Sequence, residues 1–416
     1  MIYRIFGVLT LVCLFVCAMA RAEDAVSPRL QAAFARAKTE RVAVIGIGDS
    51  NQRFGGHGWS RYMAQSLTER FGAYGTGLQF MRTPPAEAGQ PAVEIPAELK
   101  DKAYGGWYLA EGAHVKPDWR QGSSLYLVGT DLMDVTGPLR FHLIYGTFPA
   151  GTGAFQPMVR RGTPPWTPLL SEKVSPAPGA YGFAEHVLTL PADATRTWNL
   201  HYGVTPVNEE VVGPFYGVCQ WAENTAKTSG LSYQTLYAAG GQSLYDMLKT
   251  FNGYLPAQLT DYFVQVRASL NGSKTCVVMI SSGLNDRNER ELSIGPKGGL
   301  VGDSKEAFGD NLLGIFRVLQ DAWVRAGGTA STIHFAVMPS HPQSDPDDAE
   351  LVSYLQAARD VTASVPNASV IQLSALVSYQ DMVEKKMYDK GVASSPHLSP
   401  VGYETLSRAV ANALAP

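Results

Sequence analysis

The run Val42-Ala43-Val44-Ile45-Gly46-Ile47-Gly48-Asp49-Ser50-Asn51 decides how this chain is read. It is apolar and β-branched as far as Ile47, then stops at Gly-Asp-Ser. Helical spacing begins a few residues later: Trp59, Tyr62, Met63, Leu67 and Phe71 share one face between Gly58 and Gly72. A buried strand that turns sharply into a helix exposes one side chain at its C-terminal edge, beside backbone N–H groups that point outward. Such a turn suits a nucleophilic serine. It is not a Gly-x-Ser-x-Gly elbow, because Gln52 stands where the second glycine would be. Gly-Asp-Ser alone is ordinary turn chemistry, so its meaning depends on the rest of the chain.

Beyond Gly75-Thr76-Gly77, the segment Leu78-Gln79-Phe80-Met81 reads as a second strand. The texture then changes. Short alternating runs, such as Ser124–Val128 and Leu139–Ile144, lie among prolines and tryptophans with no long helical period, which predicts an antiparallel β-sandwich. After Trp221 strands and helices alternate again. Cys276–Ile280 is a continuous apolar run of the kind buried on both faces of a parallel sheet. A helix carrying Phe308, Leu312, Ile315, Phe316, Leu319 and Trp323 follows, then a strand at Ile333–Met338, a helix near Ala349–Ala363 and a last strand at Val370–Leu373. Ser399 as N-cap and Pro400 at the first helical position open a final helix that buries Leu406, Val410 and Leu414. The expected architecture is a three-layer α/β/α parallel sheet of flavodoxin-like type interrupted by the β-sandwich. The expected divisions are 1–22, 23–83, 84–221 (the insert) and 222–416.

Residues 1–22 have the form of an export signal: Arg4, an apolar run from Ile5 to Ala20, then Ala18, Ala20 and Ala22 at small-residue positions. Cleavage after Ala20 and after Ala22 fit equally, and the expected location is periplasmic or extracellular. The apolar run is too short to span a membrane, and no stable membrane span is expected elsewhere. Net charge is −3, falling to −5 once Arg4 and Arg21 are removed. That balance offers no basic field for nucleic acid. Cys13 and Cys17 leave with the signal, so Cys219 and Cys276 remain as a disulfide pair or as buried thiols. No metal or cofactor is expected, since the eight histidines are scattered and no His-Glu-x-x-His, Cys-x-x-Cys, P-loop or dinucleotide fingerprint occurs.

Ligands of such a sheet bind at the C-terminal ends of its strands. Those ends supply Gly48-Asp49-Ser50, Ala238-Ala239-Gly240-Gly241-Gln242, Ser281-Ser282-Gly283-Leu284-Asn285-Asp286 and Pro396-His397-Leu398. Together they offer a nucleophile, a backbone amide donor, a side-chain amide donor and a base. This ordered set resembles the SGNH, or GDSL-type, hydrolases, with Ser50, Gly240, Asn285 and His397 matching the four residues of the name, and Gly402-Tyr403 following the histidine. Arg70–Gly77 and Ser232–Leu236 further resemble the peptidoglycan O-acetylesterase-like subgroup, in which a carbohydrate-binding-like β domain sits between the first two blocks. Here 190 residues separate Ser50 from Gly240, room for such an insert.

The resemblance implies a serine esterase acting on an acetylated glycan: His397 as general base, Ser50 as nucleophile, and Gly240 (or the adjacent Gly241) with Asn285 as oxyanion donors. It also implies an aspartate three residues before the histidine, where this chain has Ser394. A hydroxyl orients an imidazole but does not stabilise an imidazolium as a carboxylate does. Asp389 is the nearest substitute; without it the pair is a Ser–His dyad. His57 and His341 are further candidates for lining the site, and the tryptophans of the insert for stacking on sugar rings or filling a core. A glycan-binding protein on a degenerate scaffold and an O-acyltransferase are the alternative functions.

Overall fold

The computed structural model describes residues 25–52, 58–80, 98, 114–116, 125–129, 133, 136–161, 167–168, 173–192, 200–206, 215–238, 240–253, 256–286, 305–341, 348–392 and 395–415. Helix α1 (Pro28–Ala35) is capped by Ser27, whose hydroxyl accepts from the Leu30 N–H. It leads into β1 (Arg41–Gly48), buried along its whole length, and α2 (Trp59–Phe71), which ends at Gly72 as its spacing predicts. Nine strands follow in the described residues: β2 (Gln79–Phe80), β3 (His114–Lys116), β4 (Leu125–Gly129), β5 (Leu139–Thr147), β6 (Phe155–Arg161), β7 (Thr167–Pro168), β8 (Gly182–Leu190), β9 (Leu200–Pro206) and β10 (Phe215–Asn224). The chain continues through β11 (Gly230–Ala238), α3 (Leu244–Gly253), α4 (Pro256–Ser269), β12 (Thr275–Ser282), α5 (Lys305–Arg325), β13 (Ile333–Pro339), α6 (Ala349–Ser364), β14 (Ala368–Val370), α7 (Leu373–Leu376), α8 (Tyr379–Glu384) and α9 (Pro400–Leu414).

β11-β1-β12-β13-β14 form one parallel sheet. Numbered by their order along the chain, the strands run 2-1-3-4-5, the flavodoxin-like order. β1 alternates between the two flanking layers. Ala43, Ile45 and Ile47 pack with Leu244, Tyr262, Leu312 and Phe316 of α3, α4 and α5, whereas Val42 and Val44 pack with Phe34, Met63, Tyr403 and Leu406 of α1, α2 and α9. Burying both faces is what made β1 and β12 read as unbroken apolar runs.

The antiparallel strands form two sheets, β2-β10-β5-β8 with β3 also on β10, and β4-β9-β6-β7. β5 shows a strand's period of two: Leu139, Phe141, Leu143 and Tyr145 gather with Phe155 of β6 and Phe215, while Ile144 joins the core of the α/β layers with Val218, Cys219 and Trp221. Where this sheet meets the α/β layers lies an ionic junction. Arg41, at the start of β1 and 1% exposed, pairs with Glu223 of β10 and donates to the carbonyls of Lys227 (2.8 Å), Ser269 (2.8 Å) and Asn224 (3.1 Å). His142 stacks on Trp221 at 4.3 Å and bonds Glu185 through Nδ1 at 2.7 Å.

Two strand readings are refined. Within Leu78–Met81 the described strand is β2, which pairs antiparallel with Cys219 and Gln220; Met81 lies outside the described residues. The last strand is Ala368–Val370, and Leu373 already begins α7; Ile371 is buried and its N–H still reaches Val337 O (2.8 Å), but the ladder ends there. Cys219 and Cys276 are both buried free thiols, and burial raises both above the usual thiol range. Trp221 is core; Trp107, Trp119, Trp166 and Trp198 lie outside the described residues, as do residues 1–24. Among the described residues no helix is long and apolar enough to cross a membrane.

Candidate active site

Ser50 follows directly from β1. The Asp49 carboxylate accepts from the Asn51 N–H (2.8 Å) and the Asp49 carbonyl from the Gln52 N–H (3.0 Å), which closes the turn in three residues. Gln52 is fully buried and folds back over the strand it left. A Cβ on Gly46 would overlap the Gln52 amide and the Tyr233 hydroxyl, and one on Gly48 would meet the Ser281 carbonyl and Gln52 Cβ. The two glycines are therefore the seat of this side chain. Gln52 Nε2 donates to Tyr233 OH (2.8 Å) and Ser60 Oγ (3.0 Å), and Ser60 Oγ meets Thr235 Oγ1 at 2.6 Å. The residue that rules out a glycine elbow is the brace of a different turn.

His397 arrives from the far end of the chain on a hairpin-like loop. Tyr388 bridges Leu398, flanked by the Asp389 N–H donating to His397 O (2.9 Å) and the Ser399 N–H donating to Met387 O (2.8 Å). Ser399 then caps α9, its hydroxyl accepting from the Gly402 N–H (3.2 Å). The half-buried His397 ring comes to rest with Nε2 2.8 Å from Ser50 Oγ. That separation lets an unprotonated Nε2 accept the serine proton.

β11 and β12 flank β1, so the loops leaving them border the same edge. Their ends are laced together: Asn285 Nδ2 donates to Gln242 O (3.1 Å), and the Asp286 carboxylate accepts from the Leu244 N–H (3.0 Å), Ser282 Oγ (2.8 Å) and the Gly283 N–H (3.1 Å). One Asn285 amide hydrogen is committed to Gln242, leaving a second on the same nitrogen. Gly240 is exposed, and Gly241 has the left-handed φ of 73° that glycine adopts without strain.

The surroundings favour neutral groups. Asp49 is 1% exposed, and burial, with a smaller contribution from the nearby Asp286 charge, pushes its carboxyl up to about 7. Burial likewise raises Asp286. His341, at the end of β13, is 2% exposed with its ring 5.8 Å from that of Tyr388; burial first, then the charge of His397, take it down to about 4. Desolvation penalises whichever form is charged, so both groups are held near neutrality.

Of the residues singled out by sequence, Ser50 and His397 meet directly. Gly240 and Asn285 lie on the neighbouring loops. Asp389 faces His397 across the hairpin, and the contact described between them runs main chain to main chain. Ser394 and His57 lie outside the described residues. Sequence reasoning passed over Asn51, which is 3% exposed, donates from Nδ2 to Pro396 O (3.3 Å) and accepts from Tyr403 OH (2.6 Å). Its one signal was its place beside the serine. Among the described residues no group of three or more His, Cys, Asp and Glu side chains is disposed to hold a metal ion.

With strand order and edge geometry established, the fold is that of the SGNH-type hydrolases. The solved structure "Peptidoglycan O-acetylesterase in action, 5 min" superposes with a TM-score of 0.55 at 14% identity, covering 93% of this chain and 95% of that one. At that identity the likeness is one of fold. A family two carbohydrate esterase from Cellvibrio japonicus (TM-score 0.26, 11% identity, 80% of this chain and 93% of that one) and a carbohydrate acetylesterase from Sinorhizobium meliloti (TM-score 0.27, 12% identity, 43% and 77%) are too distant in structure to add to it. No protein-family profile and no curated protein matches the sequence.

Proposed function

We propose that the protein is an exported, metal-independent serine esterase that removes O-acetyl groups from a polysaccharide through an acyl-enzyme. The observation that carries the reading is the 2.8 Å contact of His397 Nε2 with Ser50 Oγ at the C-terminal edge of the parallel sheet. His397 takes the serine proton as Ser50 attacks the ester carbonyl. The backbone amides of Ser50 and Gly240 and the second Asn285 amide hydrogen stabilise the oxyanion. The protonated His397 returns its proton to the leaving sugar oxygen, and a water activated by the same ring releases acetate. Asp389, beside Tyr388 on the arm of the hairpin opposite His397, is the carboxylate assigned to steady the imidazolium. The glycan substrate is supported by the fold likeness to a peptidoglycan O-acetylesterase and by the antiparallel sheets packed beside the α/β layers. Export rests on the form of residues 1–22.

The test is acetate release from an acetylated glycan and from a small acetyl ester by wild type and Ser50→Ala. Turnover should fall to background in the variant, because removing the nucleophile of such a set costs about 10⁶-fold in kcat. Equal turnover by the two proteins sinks the assignment, and serine-independent glycan binding without turnover would mark a binding protein instead.

A further inference from the structure

Ser50 and His397 lie 347 residues apart and belong to separate loops. A single hydrogen bond between them contributes about 1 kcal/mol net, too little to fix a half-exposed loop against a turn. Asn51 supplies the missing restraint. Its backbone N–H serves the turn through Asp49, and its side chain reaches beyond the turn. The amide reaches across to Pro396 O, the carbonyl immediately ahead of His397, and to Tyr403 OH, in the first turn of α9. The orientation is unique: only the NH₂ faces a carbonyl favourably, so Oδ1 must be the atom that accepts from Tyr403. Tyr403 is itself immobilised, fully buried, stacked on Tyr62 at 6.0 Å and set edge-on to Trp59 at 5.4 Å. Both of those aromatics belong to α2, the helix that the serine turn feeds.

We propose that Asn51 is a positioning residue that sets the Ser50–His397 separation, its side-chain amide clamping the serine turn to the histidine loop with Tyr403 as anchor. The inference rests on Ser50 as nucleophile and His397 as base. Residues that hold reacting groups in register act on the rate more than on substrate affinity, and a misplacement of about 1 Å costs about 10²-fold.

The experiment labels the full-length protein with a fluorophosphonate reagent, which needs no knowledge of the natural substrate. Ser50 Oγ forms a bond to phosphorus, the P–F bond breaks, fluoride leaves and the serine proton passes to His397 Nε2. Asn51→Asp keeps the acceptor for Tyr403 and loses the donor to Pro396; Tyr403→Phe removes only the anchoring hydroxyl. Asn51→Asp should lower the labelling rate at neutral pH by about 10²-fold, and kcat on a small acetyl ester in parallel, with KM within about threefold. Tyr403→Phe should lower both by about fivefold to tenfold, a loss of about 1 kcal/mol. The ratio of the Asn51→Asp rate to that of wild type should climb again as pH falls, because a protonated carboxyl regains an O–H that donates to Pro396 O. A merely structural role would not produce that recovery. Variants that melt earlier yet label at the wild-type rate overturn the proposal. A wild-type protein that fails to label overturns the reading of Ser50, and the clamp with it.

Discussion

The two ends of β1 solve the problem of buried polarity in opposite ways. At its N-terminal end Arg41 is held by a carboxylate and three carbonyls, an ionic knot in which Glu223 also receives Arg140 (3.3 Å) and approaches His142 (3.6 Å). At its C-terminal end the Ser50 turn is braced by amides and hydroxyls, with Asp49 shifted towards its neutral form. Full charges thus join the sheets where nothing reacts, while the carboxyl beside the serine turn is shifted towards its neutral form. A second negative charge beside a developing oxyanion would oppose it, so the difference suits the proposed chemistry.

The comparison breaks most visibly at Arg41. Arg41→Ala leaves Glu223 buried without its main cation and should cost about 3–5 kcal/mol in denaturant unfolding. The serine of the folded fraction should label at the wild-type rate. A loss below about 1 kcal/mol would mean that the junction does not hold the sheets together.

At the other end the test is pH. Asp49 has a folded value near 7 against 3.8 for the free side chain, so its contribution is whole below about pH 4 and drains away as pH climbs to about 7. His341 runs the other way: at about 4 against 6.5, its contribution is whole above pH 6.5 and is lost as pH falls towards 4. The two slopes oppose one another across pH 4–6.5. Asp49→Asn should uncover the histidine slope, so that stability relative to wild type rises by about 3 kcal/mol from pH 4 to pH 6.5. Urea unfolding at stepped pH checks this, and an unaltered difference across the window would refute it.

The smallest effect is expected at His142. Burial opposes its protonation, but Glu185 and Glu223 outweigh burial and raise it above 6.5. Its contribution is therefore complete below about pH 6.5 and disappears as pH rises through the raised value. His142→Phe keeps a ring against Trp221 and should cost under about 1 kcal/mol, only on the acidic side. A thermal melt at pH 5.5 and at pH 9 would show the asymmetry, and equal shifts at both would remove His142 from the ionic junction.

Much of this was legible in the residues themselves. β1, β12 and α5 announced themselves because elements buried on a whole face or stripe carry unbroken or strictly periodic apolar runs. Ser50, Asn285 and His397 stood out because their chemistry confines them to strand ends in short motifs. The short edge strand was misjudged by three residues, since Val370-Ile371-Gln372-Leu373 has β character but nothing in it says where pairing with β13 stops. α4 was equally readable, with Leu259, Tyr262, Phe263 and Val266 at helical spacing, although only the strand ends drew attention. The bracing roles of Asn51 and Gln52 could not be read. Their meaning lies in partners at 396, 403 and 233, and a single sequence holds no record of distance in space.

The contact between Ser50 and His397 also orders events in time. The serine is synthesised 347 residues before its base, which lies on the loop ahead of α9. A chain still emerging, or one clipped ahead of residue 397, therefore carries an unarmed serine. If Ser50 is the nucleophile and His397 its base, hydrolysis begins only when α9 has docked against α2 and brought the two loops together.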